Sequence, residues 1–146
     1  MATLVTIGAC KADDDNPGVD GGTTPDGAPV DPGFEVCGGN ICIDLSKEVN
    51  ASLNTVGGSK VFTITTPVND KIIVVKTADT TFATVSAVCT HQRCTVRLSS
   101  VTTGYVCPCH GSKYTIDGMV TQGPAVVALK QYTNSLSGTT LTITPA

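Results

Sequence analysis

The chain has 146 residues, a net charge of −3 and a charged fraction of 14%, which describe one ordinary domain able to bury a core. No stretch reaches the ~18 apolar residues of a membrane-spanning helix, and neither half is basic enough to indicate nucleic-acid binding. Residues 11–36 contain seven acids and one lysine (−6), whereas residues 37–146 contain five acids and eight bases (+3). The seven cysteines indicate either metal binding or disulfides formed outside the cytosol.

The first 36 residues differ in composition from the rest. Residues 1–10 are apolar and end in Ile-Gly-Ala-Cys, which resembles the lipoprotein box that precedes an acylated cysteine. We therefore expect a shortened lipoprotein signal segment with Cys10 as its lipidation site, and thus a membrane tether. Residues 11–36 are rich in Asp, Gly and Pro and cannot bury a core, so they should form a flexible acidic linker. The folded domain should occupy residues 37–146.

Within that domain the pattern is strand-like, with turn residues between β-branched runs. Residues 44–53 hold the one helical pattern. The predicted strands span residues 60–66, 71–77, 81–88, 95–100, 104–106, 125–132 and 139–144. The fourth should pair with the fifth, and the sixth with the seventh, in hairpins. The sequence therefore predicts a small antiparallel all-β domain.

Two loops between these strands carry both histidines and four cysteines. Residues 89–94 read Cys-Thr-His-Gln-Arg-Cys, and residues 107–112 read Cys-Pro-Cys-His-Gly-Ser. Each loop supplies one cysteine, one histidine and a further cysteine. Twelve residues separate Cys94 from Cys107, enough for a hairpin that brings the loops side by side. We expect the loops to converge on one centre.

The spacing of the cysteines and histidines narrows the choice of cofactor for this centre. Haem attachment needs two residues between its cysteines, and the second loop has one. A redox disulfide favours Cys-x-x-Cys at the start of a helix, and no helix is predicted here. Zinc accepts two cysteines and two histidines, so a zinc-stabilised binding module remains an alternative. A [2Fe–2S] cluster with two cysteines on one iron and two histidines on the other fits best.

These two loops resemble those of the Rieske iron–sulfur family, over about residues 44–143. The resemblance implies a Rieske-type β-sandwich whose two loops form a cluster-binding subdomain. It also implies that Cys89 and Cys107 bind the inner iron of one [2Fe–2S] cluster, and that His91 and His110 bind the outer iron near the surface. Two neutral imidazoles in place of thiolates raise the reduction potential.

The resemblance assigns further residues. Cys94 and Cys109 would form the disulfide of the high-potential members of the family. Ser112 and Tyr114 match positions whose hydroxyl groups donate hydrogen bonds to the sulfurs and raise the potential. The segment Gly123, Pro124 and Ala125 resembles the proline loop that covers the cluster.

Two residues depart from the family pattern, which has Leu-Gly where this chain has Gln92 and Arg93. Glutamine at that position weakens the case for quinol oxidation. Arg93 replaces a glycine, so the loop should need adjustment there. With Arg97 and Lys113 it could form a positive rim around the cluster; the alternative is three separate solvated bases scattered on the surface.

The remaining pair, Cys37 and Cys42, should close a small disulfide loop. The chain is therefore interpreted as an electron-transfer protein, not an enzyme. We expect a one-electron carrier that is extracytoplasmic (periplasmic or on the outer face of a bacterial membrane) and exchanges electrons with a cytochrome or an oxidoreductase subunit. The alternative is the electron-transfer subunit of a larger oxidoreductase, either a quinol-oxidising cytochrome complex or an arsenite oxidase-like enzyme.

Overall fold

A computed structural model describes residues 32–145, which form eleven strands and one short 3₁₀ helix. The elements in chain order are β1 (Glu35–Cys37), β2 (Asn40–Asp44), the 3₁₀ helix (Glu48–Asn54), β3 (Ser59–Ile64), β4 (Asp70–Ala78), β5 (Thr81–Ser86), β6 (Arg97–Ser100), β7 (Gly104–Val106), β8 (Lys113–Tyr114), β9 (Val120–Gln122), β10 (Thr133–Ser137) and β11 (Thr140–Thr144). In this part of the chain no helix is both long and apolar enough to cross a membrane. The predicted lipidation site Cys10 and most of the predicted linker lie outside the described residues.

The strands form three antiparallel sheets. Their orders are β1-β2-β11-β10, β3-β4-β5 and β6-β7-β8-β9. The all-β prediction is therefore confirmed, and the helical pattern at residues 44–53 corresponds to the 3₁₀ helix. Strands β8 and β9 were not predicted, because segments of two or three residues are too short to show alternation.

Strand β4 is shared between two hydrophobic cores. Ile72 and Val74 belong to the first core, with residues of β2, β3 and β11. Ile73 and Val75 belong to the second core, which also contains Tyr105. Successive side chains of a strand point to opposite faces, so four consecutive buried residues require cover on both faces. At about 1.5–3 kcal/mol for each large apolar side chain, both faces contribute to stability.

The predicted strand at residues 125–132 is wrong. Residues 125–130 form a loop, Gln131 makes an isolated antiparallel bridge with Val85 of β5, and β11 pairs instead with β10, whose five residues follow directly. Val126 is 89% exposed and Val127 60% exposed, whereas Ala125 and Leu129 are buried. In a strand Val127 would share a face with Ala125 and Leu129, so its exposure breaks the alternation that a strand requires. The apolar run matched strand composition but not strand periodicity.

The first hairpin begins two residues before the predicted domain boundary. Strand β1 starts at Glu35 and turns through Gly38 and Gly39 into β2. Both glycines have positive φ, 57° and 85°, as both central residues of a type I′ hairpin turn require. Cys37 and Cys42 are joined by a disulfide across this hairpin.

Candidate metal centre

The two Cys/His loops lie at one end of the β6–β9 sheet. Loop 1 (residues 89–94) leads from β5 towards β6, and loop 2 (residues 107–112) connects β7 to β8. Each loop is closed by a hydrogen bond from its first backbone N–H. Cys89 donates to the Cys94 carbonyl at 2.8 Å, and Cys107 donates to the Ser112 carbonyl at 2.7 Å.

The backbone turn is repeated in both loops. Arg93 donates its N–H to the Cys89 carbonyl at 2.9 Å, and Gly111 donates to the Cys107 carbonyl at 3.0 Å. Both donors have left-handed backbones, with φ of 59° and 77°. Arg93 therefore takes the conformation that Gly111 takes in the other loop, at a cost of about 1–2 kcal/mol for a residue with a Cβ. This strained conformation is how loop 1 accommodates a non-glycine residue.

Two cysteines and two histidines meet between the loops. Cys89 and Cys107 are each only 1% exposed, and neither forms a disulfide. His91 and His110 are exposed, and their ring centroids lie 5.0 Å apart with the planes at 88°. The structure thus brings two free thiols together in the interior and two imidazoles together at the surface.

A disulfide between Cys94 and Cys109 joins the two loops. The sulfurs of Cys94, Cys107 and Cys109 lie within 4.8 Å of one another, a grouping that resembles a metal site. Two of these sulfurs are already bonded to each other, so this grouping cannot bind a metal through three thiolates. The grouping instead shows that the disulfide packs directly against the buried thiol of Cys107.

The buried Tyr114 contacts the centre through its hydroxyl group. Its oxygen lies 3.2 Å from Cys89 Sγ. Burial acts to raise the pKa of the Cys89 thiol, but hydrogen bonds from Tyr114 and from the His91 backbone hold it below its usual value. Burial raises the pKa of Cys107. The protein alone therefore makes the Cys89 thiol easier to deprotonate than an ordinary cysteine.

Ser112 connects loop 2 to the predicted proline loop. The buried Ser112 Oγ accepts a hydrogen bond from the Ala125 N–H at 3.0 Å. The hydroxyl hydrogen of Ser112 is thus left to donate elsewhere, as a sulfur ligand or sulfide would need. The Gly123–Pro124 peptide bond just before Ala125 is cis.

Thr90 contributes to the site, although the sequence analysis did not select it. Its hydroxyl donates to the Val127 carbonyl at 2.7 Å and lies 3.2 Å from the Tyr114 hydroxyl oxygen. Thr90 thus connects loop 1 both to Tyr114 and to the segment after Pro124. Its position between Cys89 and His91, combined with a hydroxyl group, was the available signal.

The two buried thiols and the two exposed imidazoles are the ligand types of an iron–sulfur protein with mixed cysteine and histidine ligands. Here they lie in loops of an antiparallel β-domain. A model of the Rieske [2Fe-2S] domain matches residues 42–133, and the chain belongs to this family. Its cofactor is a [2Fe–2S] cluster, and its general function is electron transfer. The two free thiols and two imidazoles fit that cluster in number and type.

Curated relatives carry the same domain. The chain is 41% identical over 90 residues to the cytochrome b6-f complex iron-sulfur subunit of Chlorobaculum thiosulfatiphilum, covering 62% of this chain and 48% of that protein. It is 47% identical over 64 residues to the Chlorobaculum tepidum subunit of the same name, covering 44% of this chain and 35% of that protein. The chain thus spans half or less of the length of these relatives.

Two solved structures share the fold. The plasma membrane Rieske protein PetC3 of Synechocystis PCC 6803 is 29% identical with a TM-score of 0.51, covering 58% of this chain and 86% of that chain. The ferredoxin of carbazole 1,9a-dioxygenase from Nocardioides aromaticivorans IC177 is 21% identical with a TM-score of 0.54, covering 63% and 88%. The second similarity concerns the fold alone.

Proposed function

We propose that the chain is a one-electron carrier of an extracytoplasmic electron-transfer chain, with Cys89 and Cys107 as inner ligands and His91 and His110 as outer ligands of its cluster. The observation that carries this proposal is the separation of the four side chains by exposure. The thiols are buried and free, whereas the imidazoles lie together at the surface.

The bound cluster supplies a centre that accepts and releases one electron. The chain's own residues set the conditions for that chemistry. Burial behind Tyr114 and Ser112 excludes water from the sulfur side. The Tyr114 hydroxyl contacts Cys89 Sγ and can donate a hydrogen bond that stabilises added negative charge, and the Ser112 hydroxyl, which accepts from Ala125, keeps its hydrogen for a similar donation. Neutral imidazoles at the outer side leave less negative charge to oppose reduction. Electrons therefore enter and leave at the histidines.

Two disulfides in one small domain support an extracytoplasmic location, because reducing systems keep cytosolic thiols free. A lipid on Cys10 would tether the domain on the outer side of a bacterial membrane. The partner would then be a cytochrome or an oxidoreductase subunit on the same side.

The second candidate is a subunit of a larger oxidoreductase, a quinol-oxidising cytochrome complex or an arsenite oxidase-like enzyme. It is favoured by the relatives, which are named as subunits of a cytochrome complex. Gln92 favours the free carrier, since an exposed polar side chain takes the position of the family's leucine next to His91.

The experiment is a combined iron analysis, electron paramagnetic resonance measurement of the reduced protein and film voltammetry. Two irons per chain, a Rieske-type signal and a reversible one-electron wave are expected. Zinc in place of iron, with no wave, would overturn the proposal.

Purification from host membranes separates the two candidates, because a subunit should co-purify with other polypeptides. Detergent partitioning of the native protein against a Cys10→Ser variant tests the tether.

A further inference from the structure

Basic residues lie within and directly beside the two loops that carry the histidines. Between residues 80 and 132 the sequence contains four bases and one acid, giving +3, although the whole chain carries −3. The bases are Arg93, Arg97, Lys113 and Lys130, and the acid is Asp117. The local charge is therefore opposite in sign to the net charge.

Two of these bases lie at the sheet end next to the loops. Arg97 is paired with Val106, and Val106 is paired with Lys113, across β6, β7 and β8. Residues directly opposite in neighbouring strands share a face, so both cations project from the same side, about 10 Å apart. Val106 immediately precedes loop 2 and Lys113 immediately follows it.

Arg93 extends the basic surface to the other side of loop 1. Its exposed side chain lines a cleft of about 400 Å³ together with Thr90 and Val127. It also lines a cleft of about 250 Å³ beside Lys71, whose ammonium group lies 3.5 Å from Thr95 Oγ1. The left-handed backbone of Arg93 thus places a cation two residues from His91.

The nearby acids offset only part of this surface. Asp70 lines both clefts and keeps its negative charge, since its hydrogen-bond donors are the neutral hydroxyl groups of Tyr132 and Ser86 and a backbone N–H. Bases outnumber it in each cleft, because Arg93 is joined by Lys71 in the smaller cleft and by Lys130 in the larger one. Asp117 lies in the turn between β8 and β9, at the far end of β8 from loop 2. Among residues 80–132, no acid lies within the two loops.

The same face has an apolar part. Val126 and Val127 are 89% and 60% exposed, and the Val127 carbonyl is bonded to Thr90 in loop 1. Exposed apolar residues within a polar rim are the usual anatomy of a transient protein interface.

We propose that the histidine face, defined by Val126 and Val127 with the basic rim of Arg93, Arg97 and Lys113, docks an acidic surface of the redox partner protein. This proposal rests on the proposed function, in which electrons pass at the histidines. Charge complementarity indicates that the partner's docking surface is negatively charged. The rim attracts carboxylates, while the net negative charge of the whole chain repels an acidic protein that approaches elsewhere. Such steering raises association rates and fixes orientation.

The test uses the full-length holoprotein at gold electrodes coated with carboxylate-terminated or amine-terminated monolayers. Net charge alone predicts faster electron exchange on the amine surface. The proposed face predicts faster exchange on the carboxylate surface, by about tenfold at low salt and with loss of the difference at high salt. Equal rates, or faster exchange on amine, would overturn it.

A matched pair of variants locates the effect. Arg93→Gln and Lys47→Gln each remove one positive charge, and Lys47 lies beside the 3₁₀ helix in the β1-β2-β11-β10 part of the domain. Arg93→Gln should slow exchange on carboxylate two- to threefold with its reduced-state resonance signal unchanged, whereas Lys47→Gln should not. Equal slowing by both variants would contradict the proposal. Absence of any reversible wave at either surface would instead contradict the proposed function.

Discussion

The hydroxyl oxygen of Tyr114 lies 3.2 Å from the sulfur of Cys89. It lies equally far from the hydroxyl of Thr90, whose single hydrogen is donated to the Val127 carbonyl. A deprotonated Cys89 cannot donate, so Tyr114 supplies the hydrogen for any bond between the two. The phenol thus adds a side-chain donor to the hydrogen bond that this sulfur receives from the His91 backbone.

Replacing Tyr114 by Phe should lower the reduction potential, because the reduced and more negative centre loses a donor. Hydrogen bonds to charged groups contribute about 1.5–3 kcal/mol, which for one electron corresponds to roughly 60–130 mV. Ser112→Ala should act in the same direction, and the double variant tests additivity. Film voltammetry gives the potentials, and an unchanged potential in both single variants would show that neither hydroxyl tunes the centre.

Replacing Thr90 by Val should destabilise the covering loop, because the Val127 carbonyl loses its donor within the protein. We expect a loss of about 0.5–1.5 kcal/mol of stability and faster iron release on dilution into a chelator. Thr90→Ser keeps the hydroxyl group and should behave like the unsubstituted protein. Identical iron-release rates for the Val and Ser variants would remove this role from Thr90.

Removing the Cys94–Cys109 disulfide by a double Ser substitution should destabilise the domain by about 3 kcal/mol, given the sequence separation of 15 residues. It should also shorten the lifetime of the cluster, since the two loops lose their covalent connection. The matched control is the double Ser substitution of Cys37 and Cys42. The disulfide that it removes spans a sequence separation of only 5 residues and stabilises the domain by about 2 kcal/mol. Cluster lifetime, followed by visible absorbance, should be normal in the control. Equal lifetimes in both double variants would refute a specific role for the inter-loop bond.

Replacing His91 or His110 by Ala should prevent stable assembly of the cluster, because each removes a proposed ligand. Gln92→Ala changes an exposed neighbour in the same loop and should leave two irons per chain. Iron content and the resonance signal of the reduced protein measure the difference. A histidine variant with full iron and an unaltered signal would exclude that residue from the ligand set.

Strands rich in β-branched residues were readily predicted, and the structure has strands at residues 59–64, 70–78 and 81–86, close to the predicted bounds. The residue types of the centre were also predicted, since two loops that each contain two cysteines and one histidine are typical of the family. Composition failed at residues 125–130, where Val126 and Val127 face solvent and the segment is hydrogen-bonded to Thr90 and Ser112 of the two loops.

The contacts of Thr90 could not be read from the sequence, because they depend on Val127 lying beside loop 1, 37 residues along the chain. The replacement of a glycine marked Arg93 as unusual, but its left-handed backbone was not predicted. It follows from the tight turn imposed by two hydrogen bonds between backbone groups, a constraint that side-chain identity does not encode.

Strand β4 faces both hydrophobic cores through alternate side chains. Its amide hydrogens should therefore be protected from exchange with solvent by both halves of the domain. Loss of the cluster would loosen the core that holds Cys89 and Cys107, and β6 to β9 would exchange sooner, while β4 stayed protected by its other face. A domain stripped of iron should then open from one side only, and keep a folded remnant on which the two loops can close again.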